Sequence, residues 1–449
     1  MAGNEDRTDG TESVSRRRWL TGTAALVGSG LFAGCTGGDG TPTGAAGGSG
    51  DGVPDATPTT AATETATLAD TATPAETAMP SDTPTDATHD TETGTPTSTP
   101  ATPYSAELAP AGEVTFEREP ESVFTVMGHH AEMALLLGRG DAVNAVYAPG
   151  YVDSLVGAFT PRLDGVSVEW TDLTTSWNPN KEAVYELDSD VHLGDPARVV
   201  TMGDWDHSDV TEIAEKVGPW FGNSYSANHE TPPDRYADAY EYYTLWEIFG
   251  RVARVFRERE RYEALAAVHE DLVSTIEADL PPESERPSMA MVLPSTSDDS
   301  MWAYRTSAEG YYTAHSRPLG VVDAMAEAGV ETGAQVDFET LLEADPDVLV
   351  VLGGVVEGYH DMPALRERFA DDPVASQVTA VDEGRVYAQG TRHQGPLVNL
   401  FQLEMGAKQC YPRQFGEWPT YESGRYPEID PEDRLFDYDR VAEIVTEGA

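Results

Sequence analysis

A ten-residue segment occurs twice in this chain. Glu182-Ala-Val-Tyr-Glu-Leu-Asp-Ser-Asp-Val191 returns as Glu339-Thr-Leu-Leu-Glu-Ala-Asp-Pro-Asp-Val348, offset by 157 residues with five positions identical. In each copy a short amphipathic helix runs into an apolar stretch, Val191-His192-Leu193 and Val348-Leu349-Val350-Val351. That is the αβ half of a parallel α/β unit. Two copies this far apart describe two similar lobes and not a tandem solenoid.

The surrounding pattern agrees. Residues 123–127, 143–147, 289–293, 301–305 and 385–388 read as strands, and 129–137, 319–328 and 395–408 as helices, the second closed by Gly329 as a C-cap. Between the two halves, residues 258–280 end at Pro281-Pro282 and place Leu265, Val268, Leu272 and Ile276 on one helical face. A helix of that length spans about 30 Å, enough to run along two lobes and join them. The expected fold class is α/β, with two Rossmann-like lobes, 113–257 and 281–449, joined by the long helix 258–280.

The N-terminal quarter carries no such pattern. Ser15-Arg16-Arg17-Arg18-Trp19-Leu20 resembles a twin-arginine export signal. The apolar stretch from Leu20 to Ala33 is too short to span a bilayer, which takes ~20 residues. It ends in Leu31-Phe32-Ala33-Gly34-Cys35, which resembles a lipobox whose Cys35 would become a lipidated N-terminus. Residues 1–35 therefore read as a lipoprotein signal. Residues 36–112 are Thr, Pro, Ala, Gly, Asp and Glu with almost nothing to form a core, and read as a disordered tether.

Charge narrows the function. Against 28 Lys and Arg stand 78 Asp and Glu, a net charge of −50. Such a chain repels nucleic acid and anionic membrane surfaces. It suits a very saline medium, where the Debye length shrinks to ~3 Å at 1 M salt. Two cysteines, Cys35 and Cys410, are too few for a disulfide framework or a Cys-rich zinc site. No G-x-S-x-G elbow, phosphate loop or H-E-x-x-H motif is present, so the residues suggest no enzyme.

From about Val114 to Gly416 the chain resembles the substrate-binding proteins of ferric-siderophore, haem and cobalamin ABC importers. The resemblance rests on Val123-Phe-Thr-Val-Met-Gly-His-His-Ala-Glu132, Leu136-Leu137-Gly138, both repeat copies, Val381-Asp-Glu-Gly-Arg385-Val-Tyr387 and Gln394-Gly-Pro-Leu-Val-Asn-Leu-Phe-Gln402. It implies a ligand cleft between the lobes and a monomer that hands its cargo to a permease dimer with a cytoplasmic ATPase. It implies no resident cofactor, since a chelate brings its own coordination. It also implies that one Glu per lobe docks into the permease. The matching residues, Glu182 and Glu339, hold equal places in the two repeats, as a two-fold partner would require. Residues 418–449 match less clearly. With the signal, the resemblance puts the protein on the outer face of the cytoplasmic membrane, held by lipid on Cys35.

In open α/β sheets ligands bind at the loops beyond the strand C-termini. That rule selects His129, His130, Tyr147, Trp177, Trp302, Arg305, Arg392, His393 and Gln394 as ligand-binding candidates. Guanidinium groups would meet an anionic ligand and aromatic faces would cover its organic part. Two alternatives stay open: a bare divalent-metal binder, with imidazoles gathered from distant loops, and a sensor or adhesin on the same scaffold.

Overall fold

The computed structural model describes residues 102–295, 298–421 and 424–449. The export signal, Cys35 and nearly all of the tether lie outside the described residues.

The fold begins earlier than residue 113. Strands β1 (Tyr104–Leu108) and β2 (Gly112–Phe116) pair antiparallel, so the last residues assigned to the tether are structured. Ala106 and Leu108 are buried, and Tyr104 stacks on Phe116 at 5.6 Å. This alternation is only two apolar residues long and adjoins a Pro-rich tract, which hides it in the sequence.

The N-terminal lobe is a parallel four-stranded sheet in the order β5-β4-β3-β6. Its strands are β3 (Val123–Thr125), β4 (Val143–Val146), β5 (Thr174–Thr175) and β6 (Val191–Leu193). Its helices are α1 (Gly128–Leu136), α2 (Pro149–Gly157), α3 (Lys181–Leu187), α4 (Pro196–Val199), α5 (His207–Lys216), α6 (Asp234–Ala237) and α7 (Leu245–Val255). Helix α8 (Arg259–Asp279) is the predicted connector, with Leu265, Leu272 and Ile276 buried.

The second lobe is a mixed sheet in the order β10-β8-β7-β11-β12, with β9 beside β7. The strands are β7 (Ser288–Pro294), β8 (Met301–Tyr304), β9 (Val322–Asp323), β10 (Ala334–Val336), β11 (Val348–Val351) and β12 (Val386–Ala388). Helices α9 (Ala324–Glu327), α10 (Phe338–Ala344), α11 (Met362–Asp371), α12 (Thr379–Asp382), α13 (Pro396–Cys410), α14 (Pro412–Phe415) and α15 (Tyr438–Glu447) complete it. The helix expected over 319–328 is broken. Gly320 turns left-handed at φ 59°, β9 intervenes, and only α9 remains, capped by Asp323.

The sequence repeat is an atomic repeat. Asn180 and Asp337 cap α3 and α10 by accepting from the N–H three residues on. Asp188 and Asp345 end those helices in the left-handed region, at φ 44° and 38°. Each strand then starts with a reciprocal clamp. Asp190 Oδ2 accepts from the N–H and Oγ of Ser122, and the Asp190 N–H donates to Ser122 Oγ. Asp347 does the same with Ser288. The clamps set Val191 beside Val123 and Val348 beside Met289, the central parallel pair of each sheet.

The Asp347→Ala substitution should therefore destabilise the protein by about 2 kcal/mol, through two lost charge-assisted hydrogen bonds and an unpaired serine. Urea unfolding in molar KCl measures this; a loss under about 0.5 kcal/mol would mean that the clamp does not hold the strand.

Candidate ligand site between the lobes

Helix α1 springs from the C-terminal end of β3 and carries His129 and His130 into the seam between the lobes. Both are buried, with ring centroids 4.2 Å apart. Burial holds the His129 pKa down at about 3, and burial plus the neighbouring His129 keeps His130 well below the usual imidazole range. Both rings are thus neutral. Among the described residues none donates to or accepts from any of their four ring nitrogens. The His129 ring meets Tyr311 of the other lobe edge-on at 5.4 Å.

The loop after β12 brings in the second lobe's cation. The Arg392 guanidinium lies between the rings of Tyr304 and Tyr312, at 4.2 and 4.4 Å. Aromatic faces on both sides orient the guanidinium plane. Tyr312 also shares a 2.9 Å hydrogen bond with His393 Nδ1. The His393 pKa is pushed well below 6.5, first by burial and then by the fields of Arg392, His129 and Arg198. Arg198 belongs to the first lobe. It stands on α4, whose N-terminus is capped by the buried carboxylate of Asp195, itself held by Ser224 N–H and Tyr240 Oη. Two guanidinium groups from opposite lobes therefore act on one neutral imidazole. Among the described residues no carboxylate forms an ion pair with Arg198.

Aromatic side chains line the approach. Tyr147 and Trp177 meet edge-on at 4.9 Å, and Trp177 is 49% exposed. Tyr151 meets Tyr359 across the seam at 5.4 Å, and the Glu357 N–H donates to Ser154 Oγ at 3.2 Å on that rim. On the opposite rim His229 Nδ1 lies 3.1 Å from Glu309 Oε2. Beside it Gly310 adopts φ 98°, and a Cβ there would stand 2.1 Å from the Ala227 carbonyl oxygen. Only glycine admits that approach.

The floor is a helix terminus closed from the other lobe. Glu132 of α1 accepts from the Val398 N–H at 3.0 Å, and the Leu397 and Gly395 amides at the start of α13 add their fields at its carboxyl. A Cβ on Gly395 would come within 2.4 Å of the Glu132 carboxylate, so this glycine opens the approach.

The expected residues divide accordingly. His129, His130, Tyr147, Trp177, Arg392 and His393 gather at the seam. Gln394 points inward and bonds Tyr311 O, His315, Asn399 and Gln402, so it supports the loop. Arg305 is turned away: its Nε donates to Asp323 Oδ2 at 2.8 Å, because successive side chains of a strand face opposite sides and Tyr304 takes the seam side. Trp302 shares the Tyr304 face but, among the described residues, makes no ring contact with the cluster. Arg198 was missed, although it follows the C-terminal end of β6 as Arg392 follows that of β12. Glu182 and Glu339 are both exposed, each in the first turn of its helix.

A model of periplasmic binding proteins matches residues 164–392, a little over half of the chain. The chain belongs to the periplasmic binding protein family. This periplasmic binding protein is 22% identical over 272 residues to the Fe(3+)-citrate-binding protein YfmC of Bacillus subtilis (strain 168), covering 60% of this chain and 76% of that one. It is also similar to a periplasmic binding protein from Veillonella parvula DSM 2008, with TM-score 0.49, 16% identity and 69% and 92% of the two chains covered. An ABC-type Fe3+-hydroxamate transport system protein from Saccharomonospora viridis DSM 43017 gives TM-score 0.45 at 19% identity, covering 66% and 95%. No helix among the described residues is long and apolar enough to cross a membrane.

Glu132 yields a pH prediction. Burial raises its pKa from 4.5 to about 8 against the pull of three amides. The folded state therefore binds a proton that the unfolded state releases above pH 4.5. This contribution to stability is full below about 4.5 and lost as pH rises through about 8. Glu132→Gln should flatten the fall in stability between those limits; an unchanged slope would mean that this carboxyl does not titrate there.

Proposed function

We propose that this protein is the solute-binding component of an ABC importer and captures a ferric-siderophore, haem or cobalamin-type ligand between its lobes, with anionic ferric chelates fitting best. The observation that carries the reading is the Arg392 guanidinium held against the faces of Tyr304 and Tyr312 in the seam, with Tyr312 bonded to His393, whose imidazole also feels the field of Arg198 from the first lobe. A ligand with anionic oxygens would bridge the two cations, and in this low-dielectric seam each contact gains over its value in water. Tyr147, Trp177, Tyr151 and Tyr359 would cover the organic part of such a ligand. The neutral, buried rings of His129 and His130 would offer it hydrogen bonds at the floor. No step of the function requires a reaction on this chain.

Tryptophan-fluorescence titration in molar KCl tests this with ferric citrate, a ferric hydroxamate, a ferric catecholate, haem, cobalamin and free divalent metals. Sub-micromolar binding of at least one chelate is expected. Arg198→Ala and Arg392→Ala should each weaken an anionic chelate by about tenfold to a hundredfold, the 1.5–3 kcal/mol of a hydrogen bond to a charged group. Binding of free metal alone, or of nothing tested, would reject the chelate reading.

Delivery and anchoring rest on the sequence motifs. Glu182 and Glu339 would seat the two lobes on the paired permease subunits, and lipid on Cys35 after twin-arginine export would hold the protein at the outer face of the membrane. Replacing both glutamates with alanine should spare ligand binding and abolish uptake; normal uptake would remove the docking role. Cys35→Ser should release the protein into the medium.

A further inference from the structure

Helix α13 is buried over its whole length, yet it carries Glu404 and Lys408 one turn apart. Neither side chain reaches solvent, and burial pushes the Glu404 pKa up and that of Lys408 down. Two ionisable groups survive inside a core only when their hydrogen bonds are met. Here the C-terminal part of the chain meets them. Glu404 accepts from Tyr426 Oη at 2.5 Å, from the Leu435 N–H at 2.6 Å and from Tyr438 Oη. Lys408 Nζ donates to the carbonyls of Phe415 at 2.5 Å and Asp433 at 2.7 Å.

From that anchor the same segment reaches the other lobe and the connector. The Tyr426 N–H donates to the Ala158 carbonyl at 2.7 Å. The Tyr426 carbonyl accepts from Arg162 Nε at 2.8 Å and Nη2 at 2.6 Å. Its ring packs against Phe159 of the first lobe and Phe401 of α13, at 5.7 and 4.7 Å. Farther on, α15 lies along α8, where Arg261 Nη1 donates to the Val445 carbonyl. Tyr426 thus holds a helix of one lobe through its phenol and a loop of the other through its backbone.

We propose that the described residues of the C-terminal segment, 418–421 and 424–449, form a strap that ties the two lobes and the connecting helix into one body, so that the spacing of the lobes depends on this segment as well as on the connector. Moving the lobes apart requires the Tyr426–Arg162 grip to part, and that grip lies partly buried at the first-lobe end.

Paired spin labels at Glu186→Cys and Glu343→Cys, equivalent exposed sites of the two repeats, measure the interlobe distance. The full chain would carry Cys35→Ser; the native Cys410 is buried. Without ligand, the protein should give one narrow distance distribution. Arg162→Ala should broaden it, and Arg162→Lys, which can still donate to the Tyr426 carbonyl, should restore most of the sharpness. A broad or double distribution in the parent, or an Arg162→Ala distribution equal to the parent's, would overturn the strap. Hydrogen exchange on the unaltered protein gives a check that needs no variant. The Tyr426 and Leu435 amides should exchange as slowly as those of α13, and exchange a hundredfold faster would also overturn it.

Discussion

Helix α13 is enclosed along its whole length, so the N–H groups of its first turn cannot turn to water. Its N-cap is Gly395, which has no side chain to offer. The acceptor comes instead from the other lobe, as the Glu132 carboxyl. An unmet amide in such a place costs about 1–3 kcal/mol, so the two lobes cannot separate at this point without exposing or orphaning it. Trp246 of α7 adds a second link by donating to Asn399 Oδ1 at 3.0 Å. The apolar core follows the same route, since one buried cluster runs through both lobes. Because Glu132 lies three residues from His129 on α1, the joint that holds the lobes together also sets the floor of the cleft.

The two lobes share a construction and differ where the ligand would sit. Caps, left-handed ends and Asp–Ser clamps correspond at the level of hydrogen bonds. Beyond the clamped strands the correspondence stops. β6 leads into α4 with Arg198, while β11 leads into a turn and the loop that carries Tyr359. Repetition serves the scaffold and divergence serves the site, as expected when binding groups sit on loops presented by rigid sheets.

That division also explains what was legible. The repeat exposed the architecture because helix caps and parallel strand pairs depend on local chemistry: Asp, Asn and β-branched residues at set spacings. The connector declared itself by its apolar stripe. Contacts made between distant loops left no local trace. Nothing around Tyr311, Tyr312 or Tyr359 signals that they face the seam, and Arg305 could not be told from a seam residue without knowing which side of β8 faces inward. Residues 104–108 were lost to the tether because their strand is short. The C-terminal segment matched the family less clearly because its reason for order lies well before it in the chain, in Glu404 and Lys408 on a buried helix.

The central claim is that an anionic chelate is held between Arg198 of one lobe and Arg392 of the other. Anomalous diffraction at the iron edge, from crystals grown with the ferric chelate that binds most tightly, tests it most directly. The account predicts one strong iron peak in the seam, within a ligand's width of both guanidinium groups and beside the His129 and Tyr312 rings. An iron peak on an outer face of either lobe, or one bound directly by protein imidazoles and carboxylates with no chelate around it, would contradict it.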